Sequence, residues 1–169
     1  MKRKGFVKMK VTSKQWNSRS CIICGMDNSL GVKAQFYNME DKSVMSKFSY
    51  SENHQSYPGR VHGGMITAML DELGLRALWA NGIDEWGVTM SLETKFRKPV
   101  PYNVPLIGKG VLLSSTSRFV MAEAYILDMD GNKLADAEIK YIKLKPELIS
   151  DTDFHEEMCY HIEDSVTDL

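Results

Sequence analysis

The sequence has few cysteines, no long apolar run and almost no net charge. Three cysteines in 169 residues are too few, and odd in number, for a disulfide scaffold. No stretch approaches the roughly 20 apolar residues of a membrane-spanning helix, and no apolar run of the signal-peptide type follows the basic N-terminal residues. A formal net charge of −1 gives no basis for nucleic acid as the main partner. We therefore expect a cytoplasmic protein that engages neither membrane nor nucleic acid.

Charge is distributed unevenly between the two ends of the chain. Residues 1–20 carry seven Lys or Arg and no acid, whereas residues 147–169 carry eight Asp or Glu and no Lys or Arg. Such runs are commonly solvated tails, but opposite charges at the two ends can also attract each other, within one chain or across a dimer. We predict a basic N-terminal extension at 1–20, one domain at 21–146 and an acidic tail at 147–169.

Alternating apolar and polar residues predict two strands, then one long helix, then four more strands. The helix ends at Asn81-Gly82, a typical C-terminal stop, and Asp130-Gly131 is typical of a tight hairpin. The predicted strands are 32–39, 43–50, 88–98, 104–115, 119–128 and 133–145, and the predicted helix is 63–79. This order favours an α+β fold in which a six-stranded antiparallel sheet wraps around a long central helix.

Asp71 is out of place on the predicted helix. Thr67, Ala68, Gly74 and Leu75, three and four positions away, share its face and are small or apolar. An ionised carboxylate on such a face loses water, which costs several kcal/mol if it is buried and unpaired. Two explanations stay open from the residues alone: Asp71 is catalytic, or it acts as a cap or pairs with a buried Arg or Lys such as Arg76. Glu72, one position on, is expected to face solvent.

The start of the same helix is rich in glycine. The first N–H groups of a helix have no intrahelical partner and lie at the positive end of its dipole. Gly63 and Gly64 leave those donors unobstructed, a geometry that suits a polarised carbonyl oxygen. The alternative is a purely structural turn after His62. The acid nine residues after His62 favours the chemical interpretation.

Cys21-Ile-Ile-Cys24-Gly25 contains half of a zinc-ribbon pattern. A second pair is missing, and Cys159 with His161 could complete four ligands only if the tail folded back. The alternative is a plain turn before the first strand, and we predict no metal.

The motif Gly59-Arg-Val-His-Gly-Gly64, with Asp71 nine residues after the His, resembles the hotdog-fold acyl-CoA thioesterases of the PaaI-like branch. The strand 87–99, which begins Gly-Val-Thr, and the opening Cys-Ile-Ile-Cys-Gly are similar to the same family. The resemblance covers about residues 20–145. It implies hydrolysis of an acyl-CoA to free acid and coenzyme A, with no cofactor beyond the coenzyme A of the substrate. It also implies a homodimer, or a dimer of dimers, with the active site at the subunit interface.

The resemblance also implies roles for individual residues. Asp71 matches the catalytic carboxylate, as general base or nucleophile. Gly63 matches the backbone donor to the thioester carbonyl, with His62 beside it and Gly64 next in the substrate site. Thr89 matches a hydroxyl that holds the attacking water, expected to arrive from the partner subunit. The sequence departs from the family at Ser56, where many relatives carry Asn or Gln.

Several polar residues are predicted to bind the rest of the substrate. Gln55 is adjacent to Ser56 and could replace the missing amide donor. Arg97, Lys98 and Arg118 are candidates for the phosphates of coenzyme A, since Arg and Lys at strand ends suit phosphate recognition. Two competing functions stay open: a hotdog protein that binds acyl-CoA or a related ligand without turnover, and a hotdog dehydratase, which would need His62 and Asp71 to converge.

Overall fold

The structure, a computed structural model, describes residues 9–169 as one antiparallel sheet curved around a long helix. The strand order in the sheet is β1-β2-β3-β5-β6-β7-β4. The elements, in chain order, are β1 (Val11–Lys14), β2 (Tyr37–Met39), β3 (Val44–Phe48), α1 (Gly63–Ala80), β4 (Trp86–Phe96), β5 (Leu106–Ser115), β6 (Phe119–Leu127), β7 (Lys133–Leu144) and α2 (Phe154–Met158). The predicted α+β arrangement of one central helix and a wrapping antiparallel sheet is confirmed.

Helix α1 begins and ends where its capping residues predict. The Gly64 N–H donates to His62 Nδ1 at 2.9 Å, so the His62 side chain caps the first turn. At the other end Asn81 is the C-cap, and Gly82 adopts φ 72°, a left-handed conformation that favours glycine. The fully buried side chains of Met69, Leu70 and Leu73 fill the space between helix and sheet. Burial of each contributes roughly 1.5–3 kcal/mol.

The sheet can approach α1 closely because small residues lie at the contacts. A Cβ placed on Gly110 of β5 would lie 2.1 Å from the carbonyl oxygen of Leu73. A Cβ on Gly74 of α1 would lie 2.3 Å from the Tyr141 hydroxyl on β7. Both glycines therefore allow the sheet and helix backbones to approach, and they place the middle of α1 directly against β5 and β7.

The sheet has seven strands where the sequence predicts six. The additional strand, β1, pairs antiparallel with β2 in the register Val11↔Met39 and Lys14↔Tyr37. Its residues, Val-Thr-Ser-Lys, do not alternate between apolar and polar side chains. The strand is instead held mainly by backbone pairing at the edge of the sheet. The pattern that identifies a half-buried strand is therefore missing from this segment.

Strand β2 is shorter than predicted. The predicted strand covers residues 32–39, but only Tyr37–Met39 pair as a strand. Lys33 adopts φ 56°, which interrupts an extended conformation. The N–H groups of Val32 and Ala34 donate to the carbonyls of Ile22 and Ile23, each at 2.9 Å, so this segment follows the cysteine-containing turn rather than the sheet.

The two oppositely charged ends lie together. The Met9 N–H donates to the Leu169 carbonyl at 2.9 Å, and Lys14 Nζ lies 2.6 Å from the Asp164 carboxylate. The sequence left open whether the charged ends are solvated tails or attract each other. Residues 9–20 and the acidic segment contact each other within one chain. Residues 1–8 of the predicted basic extension lie outside the described residues. The boundaries at residues 20 and 146 stay predictions.

Within residues 9–169, neither helix has the length and apolar character needed to cross a membrane.

Candidate active site

The Asp71 carboxylate lies on the face of α1 that meets β4. The Thr89 hydroxyl of β4 lies 2.8 Å from Asp71 Oδ1 and 3.0 Å from Oδ2. Thr89 donates, since an ionised carboxylate only accepts. The expectation that Thr89 reaches this carboxylate from a partner subunit is therefore wrong, because both residues belong to one chain. The reason is that β4 runs antiparallel along α1, so the start of the strand meets the middle of the helix.

Burial raises the pKa of the Asp71 carboxyl above its usual value. The hydrogen bond from Thr89 acts in the opposite direction and stabilises the charged form, while the neighbouring charge of Glu72 raises the pKa further. A carboxylate with a raised pKa is a stronger base than an exposed aspartate. Asp71 is thus the kind of group that can take a proton from water near neutral pH.

Arg76 does not pair with Asp71. Its Nε donates to Glu72 Oε1 at 2.8 Å, and its Nη1 donates to the Trp16 carbonyl, also at 2.8 Å. The guanidinium is only 2% exposed and lies 4.1 Å from the centre of the Phe36 ring. Glu72 is therefore half-buried in an ion pair, and the expectation that it faces solvent is wrong, because one turn of helix places it beside Arg76. Among residues 9–169, no cationic side chain is bonded to the Asp71 carboxylate.

The start of α1 presents one unpaired backbone donor. Gly64 N–H is used by the His62 side chain, and the Met65 N–H donates to the His62 carbonyl at 3.0 Å. In the part of the chain that the structure describes, the Gly63 N–H has no hydrogen-bond partner. Its position at the positive end of the helix dipole suits a carbonyl oxygen that gains negative charge. His62 contributes as a cap, with its ring exposed to solvent.

An open depression of about 470 Å³ lies at this end of α1. Its lining includes four residues predicted from the sequence, Ser56, Gly63, Arg97 and Lys98, together with Phe96. Its walls therefore combine a backbone donor, a hydroxyl, an aromatic ring and two cations, which suits a ligand with a polar and an apolar part.

Gln55, the residue before Ser56, belongs to a hydrogen-bonded chain. The Tyr102 hydroxyl donates to Gln55 Oε1 at 2.8 Å and accepts from the Gly59 N–H at 3.1 Å. Ser56 is held by its backbone, since its N–H donates to the Arg60 carbonyl at 2.9 Å. The oxygen of Gln55 is thus occupied by Tyr102, and its amide nitrogen is the group left to donate to a ligand.

The three candidate phosphate ligands are not gathered in one place. Arg97 and Lys98 follow β4, and Arg97 forms a two-pronged ion pair with Asp136 at 2.8 Å and 3.1 Å. Arg118 lies in the β5–β6 turn, where its carbonyl accepts from the Lys143 N–H close to the start of β4. The cations therefore sit near opposite ends of β4, about 33 Å apart at 3.3 Å per residue.

The two chemical groups of α1 are also separated within one chain. Gly63 and Asp71 are eight positions apart, which is about 12 Å along a helix at 1.5 Å per residue. One thioester group cannot contact both. For the same reason His62 and Asp71 of one chain do not converge, so a dehydratase pair is not formed within one chain.

The outer edge of β4 is exposed. Its side chains include three large apolar groups with exposed fractions of 40% for Val88, 52% for Met90 and 57% for Phe96. Of the strands formed by residues 9–169, β4 is the last in the sheet, and β7 is its one neighbour. An edge of this length with exposed apolar groups is a typical pairing surface for another strand.

Sequence reasoning missed the residues that hold Asp71 in place from the sheet side. The Tyr141 hydroxyl of β7 donates to the Asp71 carbonyl oxygen at 2.7 Å. Thr67 and Thr94 place their hydroxyl oxygens 3.2 Å apart, one turn from Asp71. The signal for Tyr141 is its place in the alternation of β7, which predicts a buried phenol that needs a partner. Its partner cannot be read from the sequence, since the pairing depends on the curvature of the sheet.

Three groups that bind metals in other proteins come close together at Cys21, Cys24 and Glu72. Their ligand atoms lie within 4.8 Å of one another, and residues 9–169 contain no further group of this kind. Cys159 and His161 therefore do not complete a four-ligand site. The trio fits a metal ion poorly, because Glu72 Oε1 already accepts from the Arg76 guanidinium.

The sequence of this chain is similar to those of known thioesterases and esterases. The sequence model of the thioesterase superfamily matches residues 58–135. The acyl-coenzyme A thioesterase THEM4 of Mus musculus is 29% identical over 123 residues, covering 72% of this chain and 52% of the relative. The chain thus spans about half the length of that relative. The protein SSO2140 of Saccharolobus solfataricus is 31% identical over 102 residues, covering 59% of this chain and 71% of the relative.

Solved structures share the fold. The thioesterase superfamily protein RHA08564 superposes with a TM-score of 0.66 at 28% identity, over 73% of this chain and 60% of that one. A hypothetical thioesterase protein of Streptococcus pneumoniae, crystallised with coenzyme A, gives a TM-score of 0.60 at 17% identity, over 66% of this chain and 85% of that one. The second likeness, at this identity, concerns the fold alone.

Proposed function

Since the chain belongs to the thioesterase superfamily, we propose that it hydrolyses acyl-CoA thioesters to a free acid and coenzyme A. The observation that carries the proposal is the Asp71 carboxylate, which is half-buried, hydrogen-bonded to Thr89 at 2.8 Å and, within the described part of the chain, without a cationic partner. A helix with an unpaired N–H at its start and such a carboxylate eight positions later supplies both groups that acyl transfer to water requires.

The reaction follows from these two groups. The Gly63 N–H donates to the thioester carbonyl oxygen and stabilises the negative charge that develops there. Asp71 accepts a proton from a water molecule, whose oxygen attacks the carbonyl carbon. The carbon–sulfur bond then breaks, and the coenzyme A thiolate leaves and takes up the proton held by Asp71. Direct attack by the Asp71 carboxylate is the alternative route, in which water hydrolyses the resulting anhydride.

The 12 Å between Gly63 and Asp71 of one chain suggests how two copies would complete the site. If the exposed edge of β4 pairs antiparallel with β4 of a second copy about a two-fold axis, the two α1 helices run in opposite directions. Gly63 lies beside Phe96 at the end of β4, since a Cβ added to Gly63 would lie 3.4 Å from the Phe96 ring. Asp71 lies beside Thr89 near the start of β4. The two-fold therefore brings Gly63 of one copy towards Asp71 of the other. We propose a homodimer with two composite active sites, either alone or as part of a dimer of dimers.

The same two-fold brings the separated cations together. It places Arg118 of one copy near Lys98 of the other, because they lie close to opposite ends of β4 in each chain. We propose that these two side chains bind the phosphates of coenzyme A, in line with the coenzyme A complex of the Streptococcus pneumoniae protein. Arg97 has a smaller part, since Asp136 already neutralises it. The predicted cytoplasmic location stays a prediction.

A second candidate function, acyl-CoA binding without turnover, is favoured by Ser56. This residue has a shorter donor than the Asn or Gln expected at its position, and the neighbouring Gln55 has its oxygen bonded to Tyr102. Such a protein would hold the thioester without orienting water for attack. Binding without release of a thiol would identify it.

The test is a thiol-release assay over short, long and aromatic acyl-CoA substrates. Wild-type protein should release coenzyme A from at least one of them, and Asp71→Asn should lower turnover by roughly 10²–10⁴, the range for loss of a general base. Asp151→Asn removes a carboxylate from the exposed acidic tail and serves as the matched control. Wild-type turnover in Asp71→Asn would refute the assignment. Tight binding by wild-type protein with no thiol released would establish the binding function instead.

A further inference from the structure

Cys21 and Cys24 share one tight turn that the proposed acyl-CoA site does not use. The Gly25 N–H donates to the Cys21 carbonyl at 2.8 Å, which closes a single helical turn. Side chains three positions apart on such a turn point to the same side, and the two sulfurs lie within 4.8 Å of each other. A Cβ at position 25 would lie 2.3 Å from the Cys21 carbonyl oxygen, so the turn closes because residue 25 is glycine.

We propose that Cys21 and Cys24 form a thiol–disulfide exchange site that reacts with low-molecular-weight disulfides of the glutathione class. Residues three apart on a helical turn have Cα atoms within the range that a disulfide spans, so rotation of the two side chains can bring sulfurs that lie within 4.8 Å to bonding distance. All three cysteines of the chain are free thiols in the structure.

The two cysteines differ in access. Cys24 has an exposed fraction of 0% and packs in the main hydrophobic core, whereas Cys21 lies partly exposed beside Ile22, which is 40% exposed. An incoming disulfide can therefore reach the Cys21 sulfur but not the Cys24 sulfur. This makes Cys21 the attacking thiol and Cys24 the resolving thiol.

The surroundings of the Cys21 sulfur favour a thiolate. The Ile23 N–H donates to Cys21 Sγ at 3.3 Å. The neighbouring Cys24 thiol, the largest influence, lowers the pKa of Cys21 to about 7. The neighbouring Cys21 sulfur and burial raise the pKa of Cys24 and keep it protonated, and its thiol donates to Ser18 Oγ at 3.4 Å. A thiolate with a pKa close to the ambient pH is the most effective attacking group in exchange reactions.

The exchange balances in two steps. The Cys21 thiolate attacks one sulfur of the small disulfide, a mixed disulfide forms, and the other half leaves as a thiolate that takes up a proton. The Cys24 thiol then loses its proton and attacks the Cys21 sulfur, which releases the second half as a thiolate that is protonated in turn. The two protein thiols are oxidised to one disulfide, and the small disulfide is reduced to two thiols. A small thiol in excess reverses both steps.

A metal ion is the competing occupant of this turn. Glu72 is the third group near the two sulfurs, but its Oε1 accepts from Arg76 Nε at 2.8 Å. The Arg76 guanidinium, 2% exposed, is a fixed positive charge beside the same cluster. A divalent cation would face that charge in a poorly hydrated environment, so the cluster favours two thiols over a metal.

The experiment uses the full chain with Cys159→Ser, which leaves Cys21 and Cys24 as the only thiols. Protein is equilibrated in mixtures of reduced and oxidised glutathione, quenched in acid, blocked with a maleimide and analysed by intact mass and peptide mapping. We expect a Cys21–Cys24 disulfide that forms as the mixture becomes more oxidising and disappears when reduced glutathione is restored. Cys24→Ser in the same background should hold one glutathione on residue 21. The matched variant Cys21→Ser should hold none on residue 24.

Two results would overturn the proposal. One is that both thiols stay open to maleimide in denaturant after incubation with oxidised glutathione alone. The other is that one zinc ion per chain survives dialysis, depends on both cysteines and prevents the oxidation, which would make the turn a metal site. The folding of each variant is checked by thermal unfolding. If a variant does not fold, the result for the Cys159→Ser protein alone tests the proposal.

Discussion

The Thr89 hydroxyl shares its one proton between the two carboxylate oxygens of Asp71, at 2.8 Å and 3.0 Å. This hydrogen bond joins helix α1 to the edge strand β4 at a half-buried carboxylate. The bond stabilises the charged form of a group whose pKa burial raises. The base strength of Asp71 is therefore set by a balance between burial in α1 and a donor on β4.

Removal of the Thr89 hydroxyl should weaken catalysis and shift its pH dependence. We expect Thr89→Val to lower kcat roughly tenfold, the effect of one hydrogen bond to a charged group. Because the lost bond lowers the pKa of Asp71 in the wild type, the acidic limb of the pH–rate profile should move to higher pH. Thr89→Ser, which keeps the hydroxyl, is the control and should retain both values. An unchanged profile in Thr89→Val would show that the bond does not act on the reacting carboxylate.

Asp71 should make the folded protein less stable as the pH rises. Its pKa is raised in the folded state, so the unfolded chain releases the proton at lower pH. The free energy of unfolding should therefore fall through the window between the ordinary aspartate pKa and the raised value. Asp71→Asn cannot ionise and should be more stable than wild type above this window, with no such advantage below it. Urea unfolding at acidic and neutral pH measures the difference, and a variant less stable than wild type at neutral pH would contradict the prediction.

A charge on the exposed edge of β4 should separate the proposed dimer. Met90 is 52% exposed on this edge, and a lysine there would face a second copy of the strand. We expect Met90→Lys to shift the protein to a monomer in analytical ultracentrifugation and to abolish thiol release while the circular dichroism stays native. Leu113→Lys introduces the same charge at a residue 49% exposed on β5 and should leave the oligomer intact. A dimer that survives in Met90→Lys would point to a different interface.

The cations should differ in their effect on substrate affinity. Arg118 lies exposed in the β5–β6 turn, and we expect Arg118→Gln to raise KM for acyl-CoA roughly tenfold with kcat nearly unchanged, since a phosphate contact is made equally in ground and transition states. Arg97→Gln should have a smaller effect, because Asp136 holds that guanidinium. Lys47→Gln, an exposed cation on β3, is the control. An equal rise in KM in all three variants would indicate only a loss of overall positive charge.

Much of the fold follows from local patterns. The bounds of α1 were predicted from its glycines and its Asn81-Gly82 stop, and the last four strands from their alternation, because each signal lies within a few residues of the feature it specifies. β1 was not predicted, since its polar residues are held by pairing with a distant strand. β2 is shorter than predicted because Lys33 adopts a left-handed conformation. A lysine at that position does not by itself indicate this conformation.

The sequence predicted the individual residues of the site but not the contacts between them. The small residues around Asp71 indicate from sequence alone that a carboxylate would be costly there, and the glycines at the start of α1 indicate open donors. Pairing decided the rest: Arg76 with Glu72, Thr89 with Asp71 in one chain, and Tyr141 under the helix. These contacts join residues far apart in the chain, and they depend on how strongly the sheet curves around α1.

The sequence by itself therefore determined which groups this protein has for chemistry: a carboxylate on a small-residue helix face, a helix start with open N–H groups and two cysteines on one turn. Their types and spacings are local properties of the chain. Only the tertiary structure decided which of them meet, because strand register and helix packing set distances between residues that are remote in sequence. It placed Asp71 against Thr89 while leaving Gly63 about 12 Å away along the helix, and that separation is the physical reason to expect a second copy in the active site.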